Sequence, residues 1–547
     1  MAHLVNDQDR VVSDAIDGVI AASGGRLTRV DGYPDVKVVV RADWTKARVA
    51  LLSGGGAGHE PAHAGFVGPG LLTAAVSGEV FASPSVDAVL AGIRAVTGAP
   101  GCLVVVKNYT GDRLNFGLAV ERARAEGLDV EMVIVSDDVA LTESSQPRGL
   151  AGTLFVHKVA GAAAESGASL AEVAAAGRHA AASIRTIGVA VSGVAVPFRE
   201  PPRDFTEGTA ELGLGIHGEP GREIIDVGSA RELLGRVSAE LTGEPAGDGR
   251  VALMVNNLGG LSVLEMGIVT GEILATDLGR RTDVLVGPAA LMTSLDMRGV
   301  SVTALSLDDA LRAGVLAPVG DGTAWVAARE LPSEREPQLL PHVDDDLDPV
   351  AASDDPVTRA ALTAVCDALI ASAARLDAAD AKVGDGDTGS TFATAARRVR
   401  ADLDELPLAN SAELMLRLSR VLSRSMGGSS GVLVSIFLSA AGSSRRDGAD
   451  WADALSRGVE AMQTYGAAKA GDRTMLDALI PAVEALGPGG LAGASQAAAD
   501  GAASTAGMGT AGAGRSAYVG SEHLLGAVDP GADAVAVIFA ALAGSAP

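Results

Sequence analysis

The run Val49-Ala50-Leu51-Leu52-Ser53-Gly54-Gly55-Gly56-Ala57-Gly58-His59-Glu60-Pro61 opens apolar and β-prone, then turns abruptly to glycine. Its first four residues predict a buried strand. The glycines that follow offer successive unobstructed backbone N–H groups, ahead of a histidine able to face a bound ligand. A tight strand-to-helix turn with His59 as a structural hydrogen-bonder explains the same letters. Residues 102–106 (CLVVV) form a second apolar run, ending in Lys107 and Asn108. Helical spacing over 85–96 separates the two, and helical spacing over 115–126 leads to a third strand, 130–135 (VEMVIV). Such alternation predicts a parallel sheet covered by helices, with ligands at the carboxyl ends of the strands. Loops 54–59 and 107–112 then converge.

Further strand candidates at 189–196, 251–255 and 284–286 predict a second α/β lobe. Residues 331–356 hold five prolines and the acidic run Asp344, Asp345 and Asp346, the composition of a solvated connector. Beyond it, Leu362, Val365, Leu369, Ile370 and Ala373 share one helical face, and similar spacing recurs at 412–422 and 476–486. The expected organisation is an α/β domain over 1–332, a linker over 333–354 and an all-α domain over 355–547. The Ala/Gly-rich stretch 486–514 suits either a closely packed helix or a nucleotide flap.

With 547 residues the chain has room for two to four domains with substantial cores. Its 43 Lys and Arg against 68 Asp and Glu give a net charge of −25, which disfavours nucleic acid as a partner. Two distant cysteines without CxxC spacing argue against a disulfide framework or thiolate metal site, and fit a reducing cytoplasm. The polar N-terminus does not read as a signal peptide, and no run reaches the ~20 apolar residues of a membrane span, so no membrane association is expected.

Five motifs carry the chemistry. The 53–61 loop satisfies neither GxGxxG nor, in a chain without a Gly-Lys pair, the Walker loop. Lys107-Asn108-Tyr109-Thr110-Gly111-Asp112 follows a strand, and Asp112 suits a general base or a helix N-cap. Leu214-Gly215-Ile216-His217-Gly218-Glu219-Pro220-Gly221 presents an imidazole on a rigid loop, a potential nucleophile toward a carbonyl or an ordinary loop histidine. In Asp380-Ala381-Lys382-Val383-Gly384-Asp385-Gly386-Asp387-Thr388-Gly389 the first aspartate ends a helix and the other two occupy a turn. Their hard oxygens suit Mg²⁺ with phosphate, or an acidic solvated turn. Gly427-Gly428-Ser429-Ser430-Gly431 opens an apolar helix and could hold phosphate or allow close packing. The turns at 471–475, Arg515 and 529–531 are individually weak signals.

Together, SGGGAGHEPAHAG at 53–65, KNYTGD at 107–112, GIHGEPG at 215–221, DAKVGDGDTG at 380–389 and GDRTMLDAL at 471–479 resemble the dihydroxyacetone (glycerone) kinase family, in order through nearly the whole chain. The resemblance implies a two-lobed α/β DhaK-like domain followed by an all-α helical-barrel DhaL-like nucleotide domain. It implies that His217 binds the ketone carbon covalently as a hemiaminal, while His59 and Asp112 contact the substrate hydroxyl and assist its deprotonation. Gly56, Gly58 and Lys107 match positions lining that pocket, with Ala57 where many members have serine. Asp380, Asp385 and Asp387 match aspartates that bind two Mg²⁺ ions bridging the ATP phosphates. Thr388, Gly389, Ser390, Thr391, Ser429, Ser430, Gly471, Arg515, Asp529, Pro530 and Gly531 match nucleotide-contacting turns.

Thr388 replaces the histidine of separate-subunit members, and both domains lie in one chain, so the resemblance favours free ATP as donor. It also implies a homodimer whose sites are shared between chains. Ala57 motivates a second expectation, a four-carbon ketose such as erythrulose as substrate. A third is FAD–AMP lyase activity forming cyclic FMN with Mn²⁺ at the nucleotide site. A regulatory ketose-binding protein would have no use for three mutually repelling carboxylates.

Overall fold

The structure is a computed structural model that describes residues 3–30, 32, 35–140, 146–199, 205–242, 249–332 and 350–546. The chain divides into two compact units, 1–337 and 338–547. Of the expected linker only 350–354 falls among the described residues, and the acidic run at 344–346 lies outside them.

The first unit holds two sheets. The first comprises β1 (Leu27–Arg29), β2 (Val38–Arg41), β3 (Ala50–Ala57), β4 (Ala74–Val80), β5 (Cys102–Lys107) and β6 (Val130–Val135), in the order β1-β2-β4-β3-β5-β6. β4, β3, β5 and β6 are parallel, as the alternation predicts, with crossover helices at Val86–Val96 and Thr110–Ala125. β1 and β2 join antiparallel, which makes the sheet mixed. β4 escapes the apolar-run criterion because its sequence, AAVSGEV, is dominated by small and polar residues. β3 also runs further than its apolar letters suggest. Gly54, Gly55 and Gly56 continue the strand, fully buried, because bare backbone lets the chain after β4 pack directly on it. A Cβ on Gly56 would stand 2.7 Å from the backbone nitrogen of Ala82.

The second sheet comprises β7 (Ile184–Ala190), β8 (Thr209–Leu212), β9 (Glu223–Asp226), β10 (Val251–Asn257), β11 (Thr282–Ala289), β12 (Gly299–Ser306) and β13 (Arg329–Glu330), ordered β13-β11-β10-β12-β7-β8-β9. Only β10 and β11 pair in parallel. The run at 189–196 stops being a strand at Ala190 and bends at Val191 and Ser192. One apolar core takes Leu51 and Leu103 from the first sheet, Phe155 from a covering helix, and Met254 and Val286 from the second sheet. That shared core brings the end of β3 against the segment after β11.

The described residues of the second unit are built of helices, Pro356–Asp380, Thr388–Ala401, Ser411–Ser425, Gly428–Arg446, Trp451–Gly466, Leu476–Ser504 and Pro530–Gly544, with short helical turns between. Each of these packs on the next and the last packs on the first, which closes a barrel. The 486–514 stretch resolves as helix up to Ser504. It breaks at Gly490 (φ 60°) and then buries Ala494, Ala498 and Ala502, whose small side chains allow close packing. Among the described residues, helix Pro356–Asp380 is long and apolar enough by length and composition to cross a membrane, but Arg359, Asp367, Arg375 and Asp377 interrupt it, so it holds no continuous run of ~20 apolar residues. Its apolar residues are used within the barrel: Leu369 and Leu376 pack with Phe392 and Leu414.

Candidate active site

In the first unit, the loop after β3 is laced to the segment after β11. Thr293 N–H donates to the His59 carbonyl (3.2 Å), Leu295 N–H to that of Gly58 (2.9 Å), and Thr293 Oγ1 to that of Glu60 (2.9 Å). His59 is fully buried, its Nδ1 2.8 Å from the Thr293 carbonyl oxygen. The loop joining β8 to β9 folds on itself through Gly215 N–H to the Glu219 carbonyl (3.0 Å) and Gly218 N–H to that of Gly215 (3.1 Å). Glu219 also accepts from the His217 backbone N–H at 3.0 Å and lies 2.9 Å from His217 Nδ1. His217 Nε2 stands 3.1 Å from His59 Nε2. The edges of Phe81 and Tyr109 close on the His217 ring, with centroids 5.2 and 4.6 Å away.

Lys107 ends β5 and Asp112 is the third residue of helix Thr110–Ala125, both buried. Tyr109, not Asp112, occupies the N-cap, so the capping explanation for Asp112 falls. Lys107 Nζ and Asp112 Oδ2 lie within 3.7 Å of the point where a Cβ on Gly55 would stand. Lys107 Nζ, Asp112 Oδ1 and the Tyr109 hydroxyl have no hydrogen-bond partner among the described residues, a costly condition for buried polar atoms and a mark of a site that receives a polar ligand. Gly56 and Ala57 lie in the buried body of β3, and Gly58 turns at φ 100° beside the Phe81 ring.

The electrostatics are those of a buried, mixed-charge pocket. Burial, reinforced by the Lys107 cation, holds His59 well below the usual imidazole range. Burial also lowers Lys107, against the opposing pull of Asp112, Asp137, Glu219 and Glu60. The Tyr109 phenol is pushed well up by burial and then by Glu219. For Glu219 burial acts upward, yet the hydrogen bond and charge of His217 win and hold it at about 2.

In the helical unit, Asp380 ends its helix and a turn carries Asp385 and Asp387, with Gly386 at φ 81°. One ligand oxygen from each of the three lies within 4.8 Å of the others. Asp380 Oδ2 accepts the backbone N–H groups of Gly386 (3.0 Å), Asp387 (3.0 Å) and Thr388 (3.2 Å), which tie the turn to the helix end and leave its other oxygen available. Arg515 forms an ion pair with Asp385. Burial and then the neighbouring Asp385 raise the Asp387 carboxyl. Three converging carboxylates partly neutralised by one guanidinium fit a hard divalent cation.

These residues border a cavity of about 700 Å³, lined also by Thr388, Thr391, Ser429, Ser430, Arg515, Asp529, Pro530 and Gly531. Gly389, Ser390 and Gly471 do not line it. Gly389 packs directly on the backbone of Ala373, Ser390 N–H and Oγ bond Asp377 at 2.8 and 2.5 Å, and Gly471 N–H bonds Asp477 at 2.5 Å. Their work is local architecture. Asp529 caps helix Pro530–Gly544 through Ala532 N–H (2.8 Å), and burial pushes its carboxyl up to about 6.

Sequence reasoning overlooked Phe81, Tyr109, Glu219 and Thr293 around the histidines, and the apolar wall of Leu433, Ile436 and Met462 in the helical cavity. Glu219 was findable, since it stands two residues from His217 in a rigid loop. Thr293 carries no motif, because only the meeting of the two sheets brings it to His59.

The Dak1 domain family matches residues 17–321 and the DAK2 domain family residues 382–544. The chain is 47% identical to a dihydroxyacetone kinase of Citrobacter freundii, over 99% of this chain and 98% of that protein. It is 42% identical to the Homo sapiens triokinase/FMN cyclase, over 98% of each. The crystal structure of the C. freundii dihydroxyacetone kinase in complex with AMP-PNP and Mg²⁺ superposes with a TM-score of 0.71 at 45% identity, covering 100% of both chains. Two family matches in sequence order and near-complete coverage of both proteins leave one conclusion: the chain belongs to the dihydroxyacetone kinase family.

Proposed function

We propose that this protein transfers the γ-phosphoryl group of ATP to a hydroxyl of dihydroxyacetone, the sugar being held as a hemiaminal on His217. The observation that carries the reading is the half-buried His217 imidazole set against buried His59, Lys107 and Asp112, a potential nucleophile among polar atoms awaiting a small polar ligand. A ketose carbonyl supplies an electrophile, and its hydroxyls supply partners for the unpaired groups. Glycerol has no carbonyl to offer His217 and is rejected on that ground. Asp112 Oδ1 accepts the hydroxyl proton as the sugar oxygen attacks the γ-phosphorus and the bond to the β-phosphate oxygen breaks.

In the helical unit Asp380, Asp385 and Asp387 would hold Mg²⁺, two ions in this reading, and Ser429 and Ser430 at the start of helix Gly428–Arg446 would receive phosphate. Bound Mg²⁺ neutralises the charge of the triphosphate, the main requirement of a loose phosphoryl transfer. The relative crystallised with AMP-PNP and Mg²⁺ supports both ligands. A homodimer and a cytoplasmic setting belong to the same proposal. Both cysteines are free and buried, with thiols pushed up to about 12 and 11, as suits a chain that makes no disulfide.

The test is ADP release from Mg-ATP on addition of dihydroxyacetone, run beside erythrulose. Ketose-dependent release is expected, and its absence with every ketose refutes the reading. The 42% identity to a triokinase/FMN cyclase favours a second activity at the nucleotide site, cyclisation of FAD. That activity needs no ketose and survives His217→Ala.

A further inference from the structure

The turn 471–475, between helices Trp451–Gly466 and Leu476–Ser504, carries a residue that the proposed function leaves unused. Arg473 is fully buried, and its backbone lies in the left-handed region at φ 59°, where a residue with a Cβ is strained. Burying a guanidinium is costly unless its charge and its donors are met. The neighbouring carboxylates do not meet them. Asp477 accepts the backbone N–H groups of Gly471 (2.5 Å) and Thr474 (2.8 Å) instead, and Asp529 Oδ2 lies 4.0 Å from Arg473 Nη1, beyond hydrogen-bond reach. Arg473 Nε has no partner among the described residues. A strained and buried cation of this kind persists where its remaining contacts serve a purpose.

Those contacts join three turns. Arg473 Nη2 donates to the Ala527 carbonyl oxygen at 2.8 Å, and Nη1 donates to Ser516 Oγ at 3.4 Å. The Ser516 hydroxyl in turn donates to the Val383 carbonyl oxygen at 3.3 Å. Val383 belongs to the turn between Asp380 and Asp385, Ser516 follows Arg515, and Ala527 precedes Asp529. Each of these turns borders the helical cavity, and from the tethered one Arg515 pairs with Asp385. A guanidinium suits the task because its donors are fixed in one plane, whereas an ammonium is a point charge that cannot hold two separated acceptors in one geometry. We propose that Arg473 is a positioning residue for phosphoryl transfer, its guanidinium fixing the turn that carries Arg515 against the turn that carries Asp385. It has no exposed surface with which to touch the nucleotide, so it acts through Arg515. The inference rests on the reading of the helical unit as the ATP site.

A double-mutant cycle, read as kcat of the full chain at saturating Mg-ATP and dihydroxyacetone, separates positioning from general support of the fold. Arg473→Lys keeps the charge but loses the fork, and is expected to lower kcat about 10²-fold with KM for the ketose unchanged. In an Arg515→Gln background the same substitution is expected to lower kcat less than about tenfold, because the group it positions is gone. A loss of about tenfold or more in that background, or an unchanged kcat in the first, overturns the inference and leaves the kinase reading intact. Ser516→Ala cuts the link from the other side and leaves the buried arginine in place. It is expected to lower kcat only where Arg515 is present, and it decides between the two results should Arg473→Lys not fold. Wild type that releases no ADP with any ketose overturns the proposed function itself, and this inference with it.

Discussion

Arg515 forms an ion pair with Asp385 across 130 residues of chain, and its guanidinium lies 4.0 Å from Asp387. A protein cation thus stands where a metal would bind, and Mg²⁺ must share or displace it. Arg515→Gln is expected to tighten Mg²⁺ binding in the absence of nucleotide, yet to lower kcat about 10³-fold through loss of charge stabilisation on the transferring group. Mg²⁺ titration and steady-state kinetics read the two effects, and ketose binding should not change.

Asp380 and Asp385 differ in what they hold. Asp380→Ala leaves three backbone N–H groups without their acceptor and is expected to destabilise the helical unit by about 2–3 kcal/mol, seen as a lower Tm. Asp385→Ala removes an exposed carboxylate and is expected to abolish transfer with little change in Tm. Calorimetric ketose binding should survive both.

Asp529 makes stability depend on pH. Its folded pKa of about 6 exceeds the ordinary 3.8, so between these values the folded state binds more protons than the unfolded one and stability falls as pH rises through the window. Asp529→Asn keeps a capping side chain and removes the buried charge. It is expected to gain about 1–3 kcal/mol over wild type above pH ~6, with the gain vanishing below pH ~4. Denaturant melts at the two extremes check the sign.

Gly58 is required by both backbone and space. At φ 100° a side chain is strained, and a Cβ would stand 2.5 Å from the Phe81 ring. Gly58→Ala is expected to cost about 1–3 kcal/mol and to raise KM for the ketose by moving His59 or Phe81. Thermal melts and ketose-dependent kinetics check both.

Much of this was legible in the letters. Strands β3, β5 and β6, the helix ending at Asp380 and the glycine-relieved turn after it follow from apolar runs and turn chemistry that act locally. The meeting of His59 with His217 does not, since 158 residues separate them and only the core shared by the two sheets joins their loops. β4 stayed hidden because small residues pair in a sheet as well as branched ones do when both faces are covered. Gly389 carries a second requirement that its motif does not spell out, since a side chain there would meet the backbone of Ala373.

The most direct test of the central claim uses dihydroxyacetone carrying carbon-13 at its carbonyl, bound to protein with nitrogen-15 histidine. A tetrahedral carbon signal coupled to an imidazole nitrogen, lost in His217→Ala, is the predicted result. Only the uncoupled signals of free ketone and its hydrate, at saturating protein, would contradict it.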